Sequence, residues 1–337
     1  VKRELTETRD AYDTPRRTIL SGATPSAPRV AQAPENLEIS DSPCEVLVSA
    51  SGLAGRREIS EDAAAPTKRS PHDALLARLT TRVRGSLGAI TSQGVLHTFT
   101  PMDLPILDAR APKLSGGTAL KSYLGLSPAD GVILAVVTLE EGPTIALGTK
   151  RGVVKRVGLS DLPERPQHSL LSLKDGDTVV GAAIAPDDHH LVWVTSAGAL
   201  LNFPANLVRP QGLPAAGMQG VTVPEDHAVI TMAAVDRERA IVVTLSGSTE
   251  VLPGTESARA KRTPLTEFPV KGRATSGVRA HTFLKGEDVL VGAFVGYQPL
   301  AIGPRGQAVA LPEETSKRDA SGALLEGSVS SLGEHRS

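Results

Sequence analysis

A short motif centred on a glycine recurs six times along the chain and constrains its fold more than any other feature. The copies read SASGLAGRREIS from 49, TSQGVLHTFTPMDLP from 91, TKRGVVKRVGLSDLP from 149, TSAGALLNFPANLV from 195, TLSGSTEVLPG from 244 and GPRGQAVALPEE from 303. Their central glycines are Gly52, Gly94, Gly152, Gly198, Gly247 and Gly306. A motif that returns at intervals of roughly 40 to 60 residues indicates one supersecondary unit stacked several times.

Each copy predicts a β-hairpin, because apolar runs flank the glycine and a tight turn needs a residue that tolerates positive φ. Further apolar runs, such as DTVVGAAIA and HAVITMAAV, lie between copies, so each unit supplies about four strands. Four strands form the blade of a propeller. We therefore predict an all-β, six-bladed, propeller-like ring of four-stranded blades over residues 43–332, with a tail over 333–337. Trp193 precedes Val194, so the tryptophan-aspartate dipeptide is absent, and the uneven spacing suggests strands exchanged between neighbouring blades.

The N-terminal residues differ from this repetitive region. VKRELTETRDAY places Val1, Leu5 and Tyr12 near one face at helical spacing, and Asp13, Thr14 and Pro15 then end the helix. Residues 21–42 are rich in Pro, Ala and Ser and predict a linker. A chain that begins with Val inside a helical pattern is expected to be a fragment of a longer polypeptide, with residues 1–20 as the end of a preceding helical region.

Composition excludes several classes of function. Aromatic residues make up 3% of the chain, which argues against an aromatic platform for stacking bases. Cys44 is the single cysteine, so no disulfide framework or multi-cysteine metal site is predicted, as in a reducing cytosol. No apolar run is long enough to predict a membrane span. No phosphate-binding loop or nucleophile elbow occurs, and the adjacent His189 and His190 favour a polar turn over a metal site.

Basic residues are concentrated locally, although the net charge is −1. Residues 258–285 hold seven basic residues and one acidic residue, Glu267. A single run of this kind is most often a solvated face, but basic residues recur in the hairpins and connections of other copies. Equivalent positions of a ring share one circumference, so we predict an uneven path of phosphate contacts, strongest over the third blade and around the fifth. The predicted contacts are Lys68, Arg69, Lys150, Arg151, Lys155, Arg156, Arg209, Arg259, Lys261, Arg262, Lys271, Arg273 and Arg279.

Several motifs in order resemble one family. They are YDTPRRTI from 12, GTKRGVVKRVGLSDLP from 148, LKDGDTVVGA from 173, VTSAGALLNFPANLVRPQGLPAAGMQGVTV from 194 and KRTPLTEFPVKGRATSGVRA from 261. They resemble the C-terminal DNA-wrapping domain of the A subunit of bacterial type IIA topoisomerases, namely DNA gyrase and topoisomerase IV. The resemblance implies a β-pinwheel, a propeller-like disc with exchanged strands and a basic rim around which duplex DNA bends.

One departure from the family bears on activity. Gyrase A subunits carry a Q-R-R-G-G-x-G box after the first hairpin, whereas residues 55–74 retain Lys68 and Arg69 without a Gly-Gly pair. The resemblance therefore favours a topoisomerase IV subunit or a diverged gyrase paralogue.

The resemblance also implies partners and cofactors. The intact enzyme would be an A2B2 assembly in the cytoplasm, associated with the nucleoid, in which the B subunit hydrolyses ATP and Mg²⁺ acts in other domains. No cofactor and no metal site are expected in this fragment. Tyr12, Tyr123 and Tyr297 are isolated, so no catalytic residue is assigned, and the cleavage tyrosine would lie upstream. The alternative is a propeller that serves as a scaffold for protein partners, and an enzyme with a site in the central channel is a more distant alternative.

Overall fold

The computed structural model describes residues 1–13, 40–59, 68–140, 142–160, 162–163, 165–213, 215–250 and 258–335. The chain divides into two compact units, Val1–Ser40 and Asp41–Ser337. The first contains helix α1 (Lys2–Tyr12), which ends at Asp13 in extended conformation. Most of the predicted linker, residues 21–39, lies outside the described residues. No helix of the described part of the chain is long and apolar enough to cross a membrane.

The second unit is almost entirely β-structure. The strands of the first two repeats are β1 (Pro43–Ser49), β2 (Leu53–Glu58), β3 (Leu75–Arg82), β4 (Leu87–Thr91), β5 (Val95–Phe99), β6 (Thr118–Ala119) and β7 (Ile133–Thr138). The third and fourth repeats supply β8 (Thr144–Thr149), β9 (Val153–Gly158), β10 (Gln167–Ser169), β11 (Val179–Ile184), β12 (His190–Thr195), β13 (Ala199–Pro204), β14 (Met218–Gln219) and β15 (Val229–Val235).

The last two repeats supply β16 (Ile241–Gly247), β17 (Arg259–Pro264), β18 (Val278–Arg279), β19 (Val289–Gly296), β20 (Pro299–Ile302), β21 (Ala308–Val309), β22 (Ala323–Leu324) and β23 (Ser331–Glu334). Helical structure in this unit is limited, across the described residues, to α2 (Leu120–Tyr123) and four 3₁₀ turns at Leu114–Gly116, Pro128–Asp130, Ala205–Leu207 and Leu265–Glu267. The predicted all-β class is confirmed.

Every complete blade borrows its outermost strand from the next repeat. The sheet β11-β8-β9-β14 combines three strands of the third repeat with β14, which follows the hairpin of the fourth. The same arrangement holds for β10-β5-β4-β7, β15-β12-β13-β18 and β19-β16-β17-β22, and β6 likewise pairs with β2. The suggested strand exchange is therefore present, and the outer edge of a blade is encoded about one repeat after its hairpin.

The innermost strands close a ring. β3, β7, β11, β15, β19 and β23 contact one another in this order, and β23 contacts β3 again. Glu334 pairs with Leu75 there, so β21-β20-β23 and the first blade form one seven-stranded sheet. Because β23 runs to Glu334, the predicted tail over 333–337 begins too early. The inner strands surround a largely apolar cavity of about 560 Å³, with Arg78 and Glu334 among its charged lining residues.

The sixth blade is the exception to the four-stranded rule. Its described strands are β20, β21 and β23, and residues 68–73 occupy the place of the exchanged strand. The His72 amide donates to the Gly306 carbonyl at 2.8 Å, as Ala280 does to Gly198 and Gly220 to Gly152 in other blades. The Arg69 guanidinium donates to the carbonyls of Val309 and Ala301. In the described part of the chain, the His72 amide and the Arg69 side chain thus take the place of a paired strand at the outer edge of the sixth blade.

Five of the six predicted hairpin glycines adopt positive φ, between 70° and 88°: Gly52, Gly94, Gly152, Gly198 and Gly306. Gly247 does not form a turn. It is the last residue of β16 and pairs with Val289, so the fifth hairpin turns between Gly247 and Arg259. The prediction for Gly247 is wrong because an extra stretch, residues 248–258, makes this hairpin longer than the others.

The core lies between blades rather than within one central cluster. Trp193 of β12 is fully buried and packs against the third blade. A Cβ on Gly148 would lie 2.7 Å from the Trp193 ring, and one on Gly220 would lie 2.9 Å from it. Both positions are therefore restricted to glycine by close approach. Cys44 of β1 is buried, consistent with a small apolar role.

Candidate nucleic-acid interface

The outer edge of the ring consists of the exchanged strands and the connections that lead to them. The connections before β14, β18 and β22 span residues 205–217, 265–277 and 310–322. Each runs along the hairpin strand of the preceding blade. Gln211, Lys271 and Ser316 donate their amides to the carbonyls of Arg156, Asn202 and Arg262 at 2.8, 3.0 and 2.8 Å. These backbone bonds fix the register of all three connections, so their residues can be compared position by position.

Arg273 and Arg318 occupy the same position of two successive connections. Each lies four residues before the glycine that leads into the exchanged strand, within R-A-T-S-G and R-D-A-S-G. Arg273 donates from Nη1 to the carbonyl of Gln219, at the end of β14. Arg318 makes the equivalent bond to the carbonyl of Arg279, at the end of β18. Leu213 stands at this position in the fourth repeat. Each arginine therefore links its connection to the exchanged strand of the neighbouring blade.

Exposed cations surround these two links. Lys271, Arg279, Arg209 and Lys317 are exposed, while Arg273 and Arg318 are half-buried. We call the six residues Arg209, Lys271, Arg273, Arg279, Lys317 and Arg318 the outer basic arc. It follows the edges of the third, fourth and fifth blades, because these blades receive β14, β18 and β22. Glu267, Glu313, Glu314 and Asp319 are the exposed acidic residues in the described parts of the same connections.

Lys317 and Arg318 were not predicted from the sequence, although the repeated R-x-x-S-G pattern could have identified Arg318.

The hairpin tip of the third blade lies at the same edge. Lys150 and Arg151 are exposed there, and Gly152 accepts the amide of Gly220, which follows β14. The Arg151 amide donates to the carboxylate of Asp177 at 3.1 Å. These two predicted cations are therefore available to a ligand at the edge of the third blade.

Lys155 is not a phosphate contact. Its side chain is fully buried, and Nζ donates to the carbonyls of Leu170 at 2.6 Å and Leu213 at 2.8 Å. Leu170 follows the exchanged strand β10 of the second blade, and Leu213 lies in the connection that delivers β14 to the third. The ammonium thus joins two exchanged segments. Burial lowers its pKa to about 8.

Lys261 repeats this arrangement in the fifth blade and corrects a second prediction. It is 2% exposed, and Nζ donates at 2.5 Å to the carbonyls of both Ala280 and Arg318, with the Lys317 carbonyl oxygen at 3.3 Å. Burial lowers the pKa of Lys261 to about 8, against the opposing charge of Asp319. The neighbouring His281 is neutral, since burial and then the Lys261 charge lower its pKa to about 4.

Arg156 and Arg262 also bind backbone. Arg156 is 2% exposed, donates from Nη1 to the carbonyls of Ala205 and Val208, and reaches Ala185 and Asp187 through Nη2. It is therefore wrongly predicted as a phosphate contact. Arg262 is half-buried and donates from Nη1 to the carbonyls of Pro312 at 3.1 Å and Glu313 at 3.3 Å. Both arginines thus donate to carbonyls of a tight connection, and the Ala205 carbonyl also accepts the Val208 amide.

Other blades have different residues at the position that Lys155 holds in the third blade and Lys261 in the fifth. His97 occupies it in the second blade, where burial lowers the histidine pKa, and Leu201 occupies it in the fourth. In the first blade Gly55 leaves room for Leu107, and Arg57 from two residues further on reaches the carbonyl of Ala109. Burial alone would raise the pKa of Glu45, but hydrogen bonds from Arg57 and Arg78 hold it below its usual range.

The remaining predicted cations lie where the first and sixth blades meet, or they form ion pairs. Lys68 is exposed, whereas Arg69 pairs with Asp73 at 2.6 Å and binds the sixth blade. Residues 60–67, eight of the twenty residues compared with the gyrase box, lie outside the described residues. Arg259 is half-buried and pairs with Glu287 at 3.3 Å.

Tyr123, Tyr297 and His190 have structural partners. The Tyr123 hydroxyl donates to the carbonyl of Thr100, and the Tyr297 hydroxyl accepts the amide of Asp236. His190 Nδ1 lies 3.0 Å from the Asn202 side-chain oxygen. Across the described ranges, no group of three or more His, Cys, Asp or Glu side chains could hold a metal ion.

Comparison with known proteins finds similarity over three of the repeats. The family model described as "DNA gyrase C-terminal domain, beta-propeller" matches residues 143–186, 189–236 and 250–295. These segments coincide with the third, fourth and fifth repeats, which carry the outer basic arc up to Arg279. The resemblance drawn from the sequence motifs is confirmed.

Relatives agree with this match. The DNA gyrase A subunit of Mycolicibacterium smegmatis is 26% identical over 211 residues, 61% of this chain and 23% of the relative. The corresponding gyrase protein of Salmonella typhimurium is 27% identical over 190 residues, 54% of this chain and 20% of the relative. The chain thus spans less than a quarter of the length of these relatives.

The fold is shared with two solved domains. A crystal structure of the C-terminal domain of DNA topoisomerase IV has a TM-score of 0.67 and 21% identity, with 88% of this chain and 94% of that chain covered. A DNA gyrase A C-terminal domain has a TM-score of 0.59 and 16% identity, with 88% and 100% covered.

Proposed function

We propose, from the similarity of three of its repeats to the DNA gyrase C-terminal domain, that the chain binds duplex DNA along its outer edge and bends it as part of a type IIA topoisomerase A subunit. The observation that carries the proposal is the outer basic arc, whose six cations follow the edges of three successive blades. Cations along a convex edge neutralise phosphates without reading sequence, and each contact releases a counterion.

Bending follows from the shape of this edge. A straight duplex can touch only one or two blades of a ring, whereas a curved one can reach cations on all three. Smooth bending of a site of 20 to 30 base pairs costs on the order of 1–6 kcal/mol. Several charge-assisted contacts distributed along the arc can offset a cost of this size.

The role in the intact enzyme is an extension of this proposal. The chain would present a DNA segment for ATP-dependent strand passage, with cleavage by an upstream tyrosine, in an A2B2 assembly whose B subunit hydrolyses ATP. Such an enzyme acts on the nucleoid in the cytoplasm. The absence of a Gly-Gly pair after Lys68 and Arg69 favours relaxation or decatenation over negative supercoiling.

A salt titration of DNA binding tests the proposal. Six phosphate contacts predict a slope of log affinity against log salt of about −5, and the triple variant Lys271→Ala/Arg279→Ala/Lys317→Ala should reduce its magnitude by about 3. The charge-matched control is Arg82→Ala/Arg239→Ala/Arg305→Ala, which removes three exposed cations outside the arc. It should bind like the wild type. Equal weakening by both variants would contradict the assignment of the arc.

Bending is measured separately. Ligase closure of nicked plasmid with bound protein should change the linking number if DNA follows the curved edge. Absence of both salt-dependent binding and a linking change would leave the protein-scaffold alternative as the better interpretation.

A further inference from the structure

The buried ammonium of Lys261 is bonded to the backbone of the arc itself. Its Nζ contacts the carbonyls of Lys317 and Arg318, two members of the arc, and of Ala280, which directly follows a third, Arg279. Since Lys261 is 2% exposed, it cannot reach a phosphate on bound DNA. It lies beneath three cations whose side chains point outward or across the edge.

Three further bonds bring the same segments together. Arg318 Nη1 donates to the carbonyl of Arg279 at 3.4 Å, and Thr282 Oγ1 donates to the carbonyl of Asp319 at 2.5 Å. The Thr282 amide also donates to Ala320. The connection of the sixth repeat is thus held against the end of β18 by a small set of polar bonds, of which the ammonium makes three.

Lys155 provides an internal comparison. It has the same register position in the third blade and binds the equivalent carbonyls, those of Leu170 and Leu213. The residues next to these carbonyls are Ser169, Leu171 and Gly212, none of which is charged. A buried lysine therefore bonds to backbone next to cations in the fifth blade, and to backbone next to uncharged residues in the third.

We propose that Lys261 is a positioning residue for DNA binding, whose buried ammonium fixes the backbone from which Arg279, Lys317 and Arg318 reach the phosphates. The inference rests on the proposed DNA-binding function. Long basic side chains on an unfixed connection would lose conformational freedom on binding DNA, whereas a connection that is already fixed loses less. Lys261 acts on affinity through this difference, without touching DNA.

The test compares Lys261→Met with Lys155→Met. Methionine keeps the length and volume of the side chain but removes the donors. Both variants are first checked by urea unfolding, and DNA affinity is then measured over a salt series under conditions where both are folded. Lys261→Met should weaken binding about fivefold and reduce the magnitude of the salt slope by about 1, whereas Lys155→Met should change affinity less than about twofold. Equal losses in the two variants, or no loss in Lys261→Met, would overturn the inference.

A double-mutant cycle separates positioning from a general loss of structure. In the background Arg279→Ala/Lys317→Ala/Arg318→Ala, the added Lys261→Met should cause no further loss of affinity. An undiminished additional loss would show that Lys261 does not act through these three cations.

Two further measurements complete the test. If Lys261→Met fails to fold, Thr282→Val, which loosens the same connection without altering a buried charge, should weaken binding about twofold. Wild-type affinity in that variant would then overturn the inference. Failure of the wild-type chain to bind DNA at low salt would instead reject the proposed function, so the two failures are distinguishable.

Discussion

The basic residues of this chain fall into two groups that look alike in sequence and differ in structure. Lys155, Arg156 and Lys261, in the hairpin strands, are nearly inaccessible and donate to backbone carbonyls. Arg209, Lys271 and Arg279, in the connections and exchanged strands, are exposed. The comparison teaches that one group assembles the edge of the ring while the other can meet a polyanion. The two groups should respond oppositely to assays of stability and of DNA binding.

The largest expected effect is on folding, in the buried group. Arg156→Met removes the donors of the Val208 and Ala185 carbonyls, while the Ala205 carbonyl keeps the Val208 amide as a donor. It should lower the free energy of unfolding by about 3 kcal/mol, since each orphaned group costs about 1–3 kcal/mol. Urea unfolding measures it. The control is Asp187→Asn, which alters the exposed partner of the same arginine and should cost less than about 1 kcal/mol. A similar small cost for both changes would remove the distinction between the two groups.

An intermediate effect should appear in the pH dependence of stability. The pKa values of Lys155 and Lys261 fall from 10.5 to about 8 on folding, so between these values the unfolded chain binds more protons than the native one. Stability must then rise with pH, by about 1–2 kcal/mol per lysine between about pH 7.5 and 9.5. This follows because burial penalises the ammonium, while a neutral amine still donates two hydrogen bonds.

Unfolding of the wild type and of Lys155→Met/Lys261→Met at both pH values isolates this contribution. The wild type should gain more stability with pH than the double variant. Parallel pH profiles would mean that the buried ammonium groups carry no such penalty.

The smallest effect should come from a single exposed cation. Lys271→Ala should weaken DNA binding about two- to fivefold for all sequences alike and reduce the magnitude of the salt slope by about 1, while stability stays within about 0.5 kcal/mol of the wild type. Fluorescence anisotropy with two unrelated duplexes measures the first, and thermal unfolding the second. Weakening confined to one duplex would point to base contacts instead of phosphate contacts.

The architecture was accessible from the sequence because its determinants are local. Turn glycines such as Gly152 and Gly198, flanked by apolar runs, mark the hairpins. The additional apolar run between two copies of the motif marks the inner strand of each blade. The ordered motifs then indicated the family. Gly247 was predicted to be a turn glycine because of the apolar residues on either side of it. It is instead the last residue of β16, and the turn comes after it.

The orientation of the hairpin cations was not accessible in the same way. Both faces of a blade pack against neighbours, so VVKRV in β9 lacks the alternation that would assign Lys155 to one face. Its carbonyl partners lie 15 and 58 residues away in the chain, in segments whose position depends on strand exchange. The sequence therefore predicted phosphate contacts at several cations whose side chains instead donate to backbone carbonyls of the fold.

Strand exchange has a consequence for synthesis and for evolution. Because β14 completes the third blade but follows the fourth hairpin, the third blade stays one strand short until most of the next repeat has left the ribosome. Duplication or loss of a single repeat would also leave its predecessor with a foreign edge. A blade is therefore complete only when the following repeat is present, and a substitution in one repeat can change the edge of its neighbour.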